Sequence, residues 1–231
     1  MTLETVKEKC FNYSEIVDIL SQSHYTYDGD EGIIYDDYPF DGYEFLTGAS
    51  KICIPAGDYV FKTSFSGYAY DYNYETSDFY DEPLFEDWKV DYCEAEYKIY
   101  ELAKAAGLGK FFAATYKINS RVYVQERCPQ IFEDYCGSPY VLSKRDNTDT
   151  DTFLQVIDDL GLSFLRQELH FRTMRYLVME YSINDLLALQ DFIITYDIND
   201  LHDGNCGFFG DKIKFFDFCG YNSDTFEKLS Q

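Results

Sequence analysis

The chain has 231 residues, enough for one generous domain or two small lobes. A hydrophobic fraction of 46% supports a packed core and excludes wholesale disorder. A formal net charge of -23 excludes a nucleic-acid binder that works by neutralising phosphates; a basic protein partner, or an acidic surface that imitates DNA, remains open.

In chain order, Ser14 followed by Glu15-Ile16-Val17-Asp18-Ile19-Leu20 predicts a capped amphipathic helix. The acidic, Gly- and Tyr-rich stretch 25–42 reads as loop, so residues 1–42 form an N-terminal extension. Three short apolar runs follow, at 43–47, 51–54 and 59–65, separated by Gly48-Ala49-Ser50 and Pro55-Ala56-Gly57-Asp58. That punctuation predicts an antiparallel meander. Residues 66–87 are polar, acidic and aromatic and read as an inserted loop. A helix is predicted over 88–106, with Cys93, Glu96, Tyr97 and Tyr100 on one face and Gly107 as its stop. Strands are expected at 110–118 and 122–126, then irregular chain at 129–149.

The second half turns helical. A helix is predicted over 152–171, broken or bent at Gly161, and another from the cap Ser182 towards Ile194, burying Leu186, Leu187 and Leu189. Gly210-Asp211 between Phe208-Phe209 and Ile213–Phe216 predicts a hairpin. The order of elements predicts an α+β protein with two lobes, divided as 43–126 and 127–231.

The 23 Tyr, many beside Asp or Glu, suit a surface on which rings cover apolar area while hydroxyls stay wet, or a patch that binds a protein. Seven Cys, with no C-x-x-C pair and no signal-peptide pattern, read as free thiols in a reducing cytosol, so the expected location is cytoplasmic. The three His are too scattered for a zinc site with them, and no apolar run reaches membrane-spanning length.

The segment richest in chemistry is Asn199-Asp200-Leu201-His202-Asp203-Gly204-Asn205, with Asp217 beyond it at the end of the strand Ile213-Lys214-Phe215-Phe216. A loop Asp can orient a hydroxyl nucleophile, and an Asn and an Asp across a hairpin can offer hard oxygen ligands to Mg²⁺. This segment resembles the catalytic loop and metal motif of the protein-kinase-like superfamily, nearest in wording to the aminoglycoside- and choline-kinase branch. Phe216-Asp217-Phe218-Cys219 resembles the Asp-Phe-Gly motif, with Cys in the Gly place.

The resemblance implies a reduced, two-lobed kinase-like fold over residues 43–221, with a truncated C-terminal lobe, that uses ATP and Mg²⁺. It implies Asp200 as the catalytic Asp, and Asn205 and Asp217 as metal ligands. Lys62, at the end of Val60-Phe61-Lys62, would hold ATP phosphates, with Glu96 turned inward to orient it. Gly48 and Ser50 would lie in the phosphate-covering loop, and the backbone at Glu126 and Arg127 would meet adenine. The implied activity is phosphoryl transfer, with a protein hydroxyl as the acceptor because little of the lobe remains to build a small-molecule pocket. A nucleotide-binding pseudokinase, or an acidic partner-blocking protein, are the alternatives.

Blander roles stand beside these. Lys62 and Glu96 could be solvated charges, and Asp200 and Asp203 ordinary loop residues. His202 reads as a loop-bracing residue rather than a base, and Cys206 and Cys219 as small buried hydrophobes. Glu94 reads as a solvated partner for Lys98.

Overall fold

The computed structural model describes residues 2–22, 25–28, 32–35, 42–44, 46–47, 51–64, 72–73, 78–79, 91–129, 147–169, 171–198, 201–218 and 229. It is a mixed α+β chain with antiparallel sheets, and it divides into two compact units. The first comprises 1–97 and 115–127, the second 98–114 and 128–231. The N-terminal extension thus belongs to the first unit, and the stretch 98–114 to the second.

The first unit opens with two helices, α1 (Leu3–Lys9) and α2 (Tyr13–Gln22). Thr2 caps α1 by accepting from the Thr5 N–H at 3.2 Å. Ser14 does not cap α2: it already lies inside the helix, whose Ile16 N–H is donated to the Asn12 carbonyl. Strands β1 (Tyr25–Asp28) and β2 (Gly32–Tyr35) then form a hairpin where loop was expected. The β-forming Tyr, Thr and Ile prevail there over the acidic, Gly-containing connection.

A five-stranded antiparallel sheet follows, built from β3 (Leu46–Thr47), β4 (Lys51–Ala56), β5 (Tyr59–Ser64), β8 (Thr115–Lys117) and β9 (Tyr123–Glu126), in the order β3-β4-β5-β9-β8. Between β5 and β8 come the short pair β6 (Tyr72–Asn73) and β7 (Asp78–Phe79), inside the expected insertion, and helix α3 (Tyr92–Ala105). Residues 88–90 of the predicted helix lie outside the described residues. Gly107 (φ 77) ends α3 in the left-handed conformation, and the Leu108 N–H reaches back to the Ala103 carbonyl at 2.7 Å.

Register sorts the sheet into two unlike faces, because strand side chains alternate with a period of two. One face carries Ile52, Ile54, Tyr59, Phe61 and Val124, which bury against Val6, Cys10, Ile16, Ile19 and Leu20 of the α1–α2 region. At about 1.5–3 kcal/mol for each large apolar side chain removed from water, this layer dominates the unit's stability. The opposite face carries Lys51, Lys62, Ser64, Thr115, Lys117, Tyr123 and Gln125, and α3 docks on it through carboxylates.

In the second unit the strand predicted over 110–118 is split. Gly109–Phe111 forms a 3₁₀ turn, Phe112 bridges Phe215 in parallel, and only Thr115–Lys117, in the other unit, is strand. The Ala113 N–H is donated to the Phe215 carbonyl at 2.8 Å. Phe112 sits in an aromatic core, with ring centroids 4.8 Å from Phe218, 5.9 Å from Phe192 and 6.0 Å from Phe215.

Four helices follow: α4 (Asn147–Asp159), α5 (Ser163–Glu168), α6 (Phe171–Glu180) and α7 (Ile183–Tyr196). The chain breaks at Gly161 as expected, and α4 begins inside the stretch read as irregular. Ser182 caps α7 by accepting from the Asp185 N–H, and Leu186 and Leu189 are buried while Leu187 is half-buried. Strands β10 (Cys206–Phe209) and β11 (Lys212–Phe215) close the unit as the hairpin predicted around Gly210-Asp211. Main chain runs tightly over Gly207, where an added Cβ would lie 2.3 Å from the Pro129 oxygen. No helix among the described residues is long and apolar enough to cross a membrane.

Candidate functional site

The polar face of the sheet is where the first unit gathers its charge. Cys53 faces Lys62 across β4–β5 and Lys51 faces Ser64, so both lysines project to the same side. Glu96 from α3 meets them there. Its Oε2 accepts from Lys62 Nζ at 3.2 Å and its Oε1 from Lys51 Nζ. The carboxylate is fully buried, and the lysine side chains are only 5% and 3% exposed. Lys62 and Glu96 are therefore not solvated charges. Gln125 Nε2 donates to Thr115 Oγ1 at 2.8 Å and reaches Glu96 Oε2 at 3.4 Å.

A second tier of the same contact surrounds this triad. Ser64 Oγ donates to Asp91 Oδ1 at 2.6 Å, and Asp91 Oδ1 in turn accepts from the Glu94 N–H at 3.0 Å, fixing the start of α3. Glu94 accepts from Lys117 Nζ and from the Tyr123 hydroxyl, so it is not the solvated partner of Lys98. Lys98 instead reaches the Leu229 carbonyl at 3.5 Å. Burial, then the hydrogen bond to Glu94, pushes the Tyr123 phenol well above its ordinary range. Burial likewise pushes the Cys93 thiol up, despite the nearby Lys51 cation, which marks it as inert.

The second unit carries the other half of the candidate set. His202 Nδ1 accepts from the Gly204 N–H at 3.0 Å and its carbonyl accepts from the Asn205 N–H at 2.8 Å, so His202 braces the loop as read from sequence. Cys206, fully buried, directs its thiol at the same carbonyl. Asn205 is locked to the end of β11 twice. Its carbonyl accepts from the Phe216 N–H at 2.9 Å, and its Nδ2 donates to the Asp217 carbonyl at 2.8 Å. The Nδ2 bond settles which end of the amide is nitrogen, so Oδ1 is the ligand-type atom of Asn205.

Asp217 takes a left-handed backbone (φ 51) directly after the strand, while Phe218 turns into the aromatic core. Non-glycine residues in this region cost of order 1–3 kcal/mol and gather where a site over-determines them. Asp197 (φ 52) shares that conformation for a local reason, as the C-cap of α7.

Of the remaining expected site residues, Glu126 is buried at the end of β9, opposite Tyr59. The exposed Arg127 donates its N–H to the Asp58 carbonyl at 2.8 Å, so that donor is committed to the β4–β5 turn rather than offered to a base. Gly48, Ser50 and Asp200 lie outside the described residues, as does Cys219. Asn205 and Asp217 are oxygen donors of the kind Mg²⁺ takes, while no group of three or more His, Cys, Asp or Glu suited to a metal occurs among the described residues. Sequence reasoning missed Lys51, Gln125 and Thr115. Comparison with protein-family models, curated proteins and solved structures found no match.

Proposed function

We propose that the chain is a reduced, two-lobed protein-kinase-like phosphotransferase that uses ATP and Mg²⁺ and transfers to a protein hydroxyl. The observation that carries this reading is the buried ion pair of Lys62 and Glu96, joining the sheet to α3, in a chain that also locks Asn205 onto the backbone of Asp217. Bound Mg²⁺-ATP supplies the phosphoryl group and the cation that neutralises its oxygens. Lys62 binds phosphate oxygen and Glu96 holds its ammonium in place. Asn205 Oδ1 and the Asp217 carboxylate hold the metal. Asp200 orients the acceptor hydroxyl and takes its proton as the new phosphate ester forms and ADP leaves. The work asked of these residues is positioning and charge stabilisation, which a small scaffold can supply.

The near-complete burial of Lys62 favours a second reading, a pseudokinase that binds nucleotide without turnover. One experiment addresses both. The thermal midpoint is measured with and without Mg²⁺-ATP on the wild type and on Asp217→Ala, alongside transfer of γ-phosphate label to protein. A ligand at 100 times its dissociation constant stabilises by about 2.7 kcal/mol, a shift of several degrees at this size. The expected result is a metal-dependent shift lost in Asp217→Ala, together with label transfer. A shift without transfer selects the pseudokinase, and no shift in either protein ends both readings.

A further inference from the structure

Lys51 has no part in the proposed reaction, yet it is the more deeply buried of the two lysines on Glu96. We infer that Lys51 is a second phosphate-binding cation of the nucleotide site, poised beside Lys62 on the shared carboxylate of Glu96. The inference rests on the nucleotide-binding reading and deepens it.

Three observations carry it. First, the lysines do not compete for Glu96: Oε1 serves Lys51 and Oε2 serves Lys62. One carboxylate thus gathers two ammoniums that would otherwise repel one another, and bringing cations this close suits an anion with several oxygens. Second, Lys51 is the first residue of β4, directly after Gly48-Ala49-Ser50, the segment expected to cover the phosphates. That stretch of sequence holds one glycine, where a phosphate-covering loop is commonly glycine-rich. A lysine at its exit supplies by side chain the charge that a glycine-rich turn supplies by N–H groups.

Third, Gln125 is 1% exposed, and its Oε1 has no hydrogen-bond partner among the described residues, although its Nε2 holds Thr115 and reaches Glu96. An orphaned acceptor beside the triad suits a cluster completed by a group from outside the chain, such as water on a bound cation.

The test uses the unaltered protein and an acyl-phosphate analogue of ATP with Mg²⁺. The amine of a lysine beside the phosphates attacks the acyl carbon, an amide forms on the lysine, and ATP departs. Peptide mass spectrometry then locates the amide. The expected result is label on Lys51 as well as Lys62, each suppressed at least about tenfold by excess ATP. ATP-protected label on Lys62 alone overturns the role of Lys51 and leaves the nucleotide reading standing. No ATP-protected label on either lysine overturns both.

Variants give an independent readout. Lys51→Met should weaken Mg²⁺-ATP binding by about tenfold or more, the loss of one charge-assisted bond, and Lys51→Arg should recover most of it. Unchanged affinity in a folded Lys51→Met protein would also sink the idea.

Discussion

The Tyr43 hydroxyl donates to Glu15 Oε2 at 2.6 Å, tying the approach to β3 back onto α2. Desolvation first, and the neighbouring carboxylate second, push this phenol up to about 12. Burial also raises Tyr59, Tyr123 and Tyr181. The sign follows from linkage. An unfolded Tyr loses its proton near pH 10 while these native phenols keep theirs, so above that pH the native state binds more protons. Their contribution is complete below about pH 10 and drains away as pH climbs towards the folded values. Urea midpoints at pH 8 and pH 11 should therefore fall at the higher pH, and Tyr123→Phe should lessen the fall; equal midpoints would refute the account. At this scale the sequence was legible where helical phase alone decides the outcome. The apolar Ile99 and Tyr100 beyond Glu96 turn it inward to Lys62, and the ion pair follows. Lys51 was not legible, because its side depends on the β4–β5 register, which the residues beside it do not encode. Glu94 misled for a similar reason: the local i, i+4 partner Lys98 loses to Lys117 and Tyr123, brought near only by the sheet.

Between elements, α3 meets the sheet through acids rather than through grease. Asp91, Glu94 and Glu96 all point at donors on β5, β8, β9 and, for Glu96, β4. Buried ion pairs add little net stability, since desolvation offsets attraction, but removing one member strands the others. Glu96→Ala leaves two buried ammoniums without their shared carboxylate and should cost roughly 3–5 kcal/mol in denaturant unfolding. Lys117→Ala, at a half-exposed pair, should cost no more than about 1 kcal/mol. Comparable losses in the two variants would mean that depth of burial does not decide the cost. Hairpin β10–β11 could be read from Gly210-Asp211, whose turn is local. The split of 110–118 could not, since it follows from Phe112 entering an aromatic core assembled from residues far along the chain.

For the whole molecule, 42 acidic residues against 19 basic ones set the tone. Like charge on a compact body repels, and salt relieves it, with the screening length falling from about 10 Å at 0.1 M to about 3 Å at 1 M. The thermal midpoint should rise by a few degrees over that range, because the buried pairs of Glu96 are scarcely screened while the acidic surface is. A falling midpoint would mean that exposed ion pairs such as Lys110–Asp185 outweigh the repulsion.

The alternation of β4 and β5 also limits how the gene can change. Deleting the codon for residue 60 would invert β5 from that point, sending Lys62 into the layer of Val6, Ile16 and Leu20 and turning Phe61 towards Glu96. Descendants of this sequence can lengthen or shorten the hairpin only in steps of two, or at the Gly57-Asp58 turn, where parity is not counted. The two-faced sheet is thus a reading frame of its own, written in pairs of residues rather than triplets of bases.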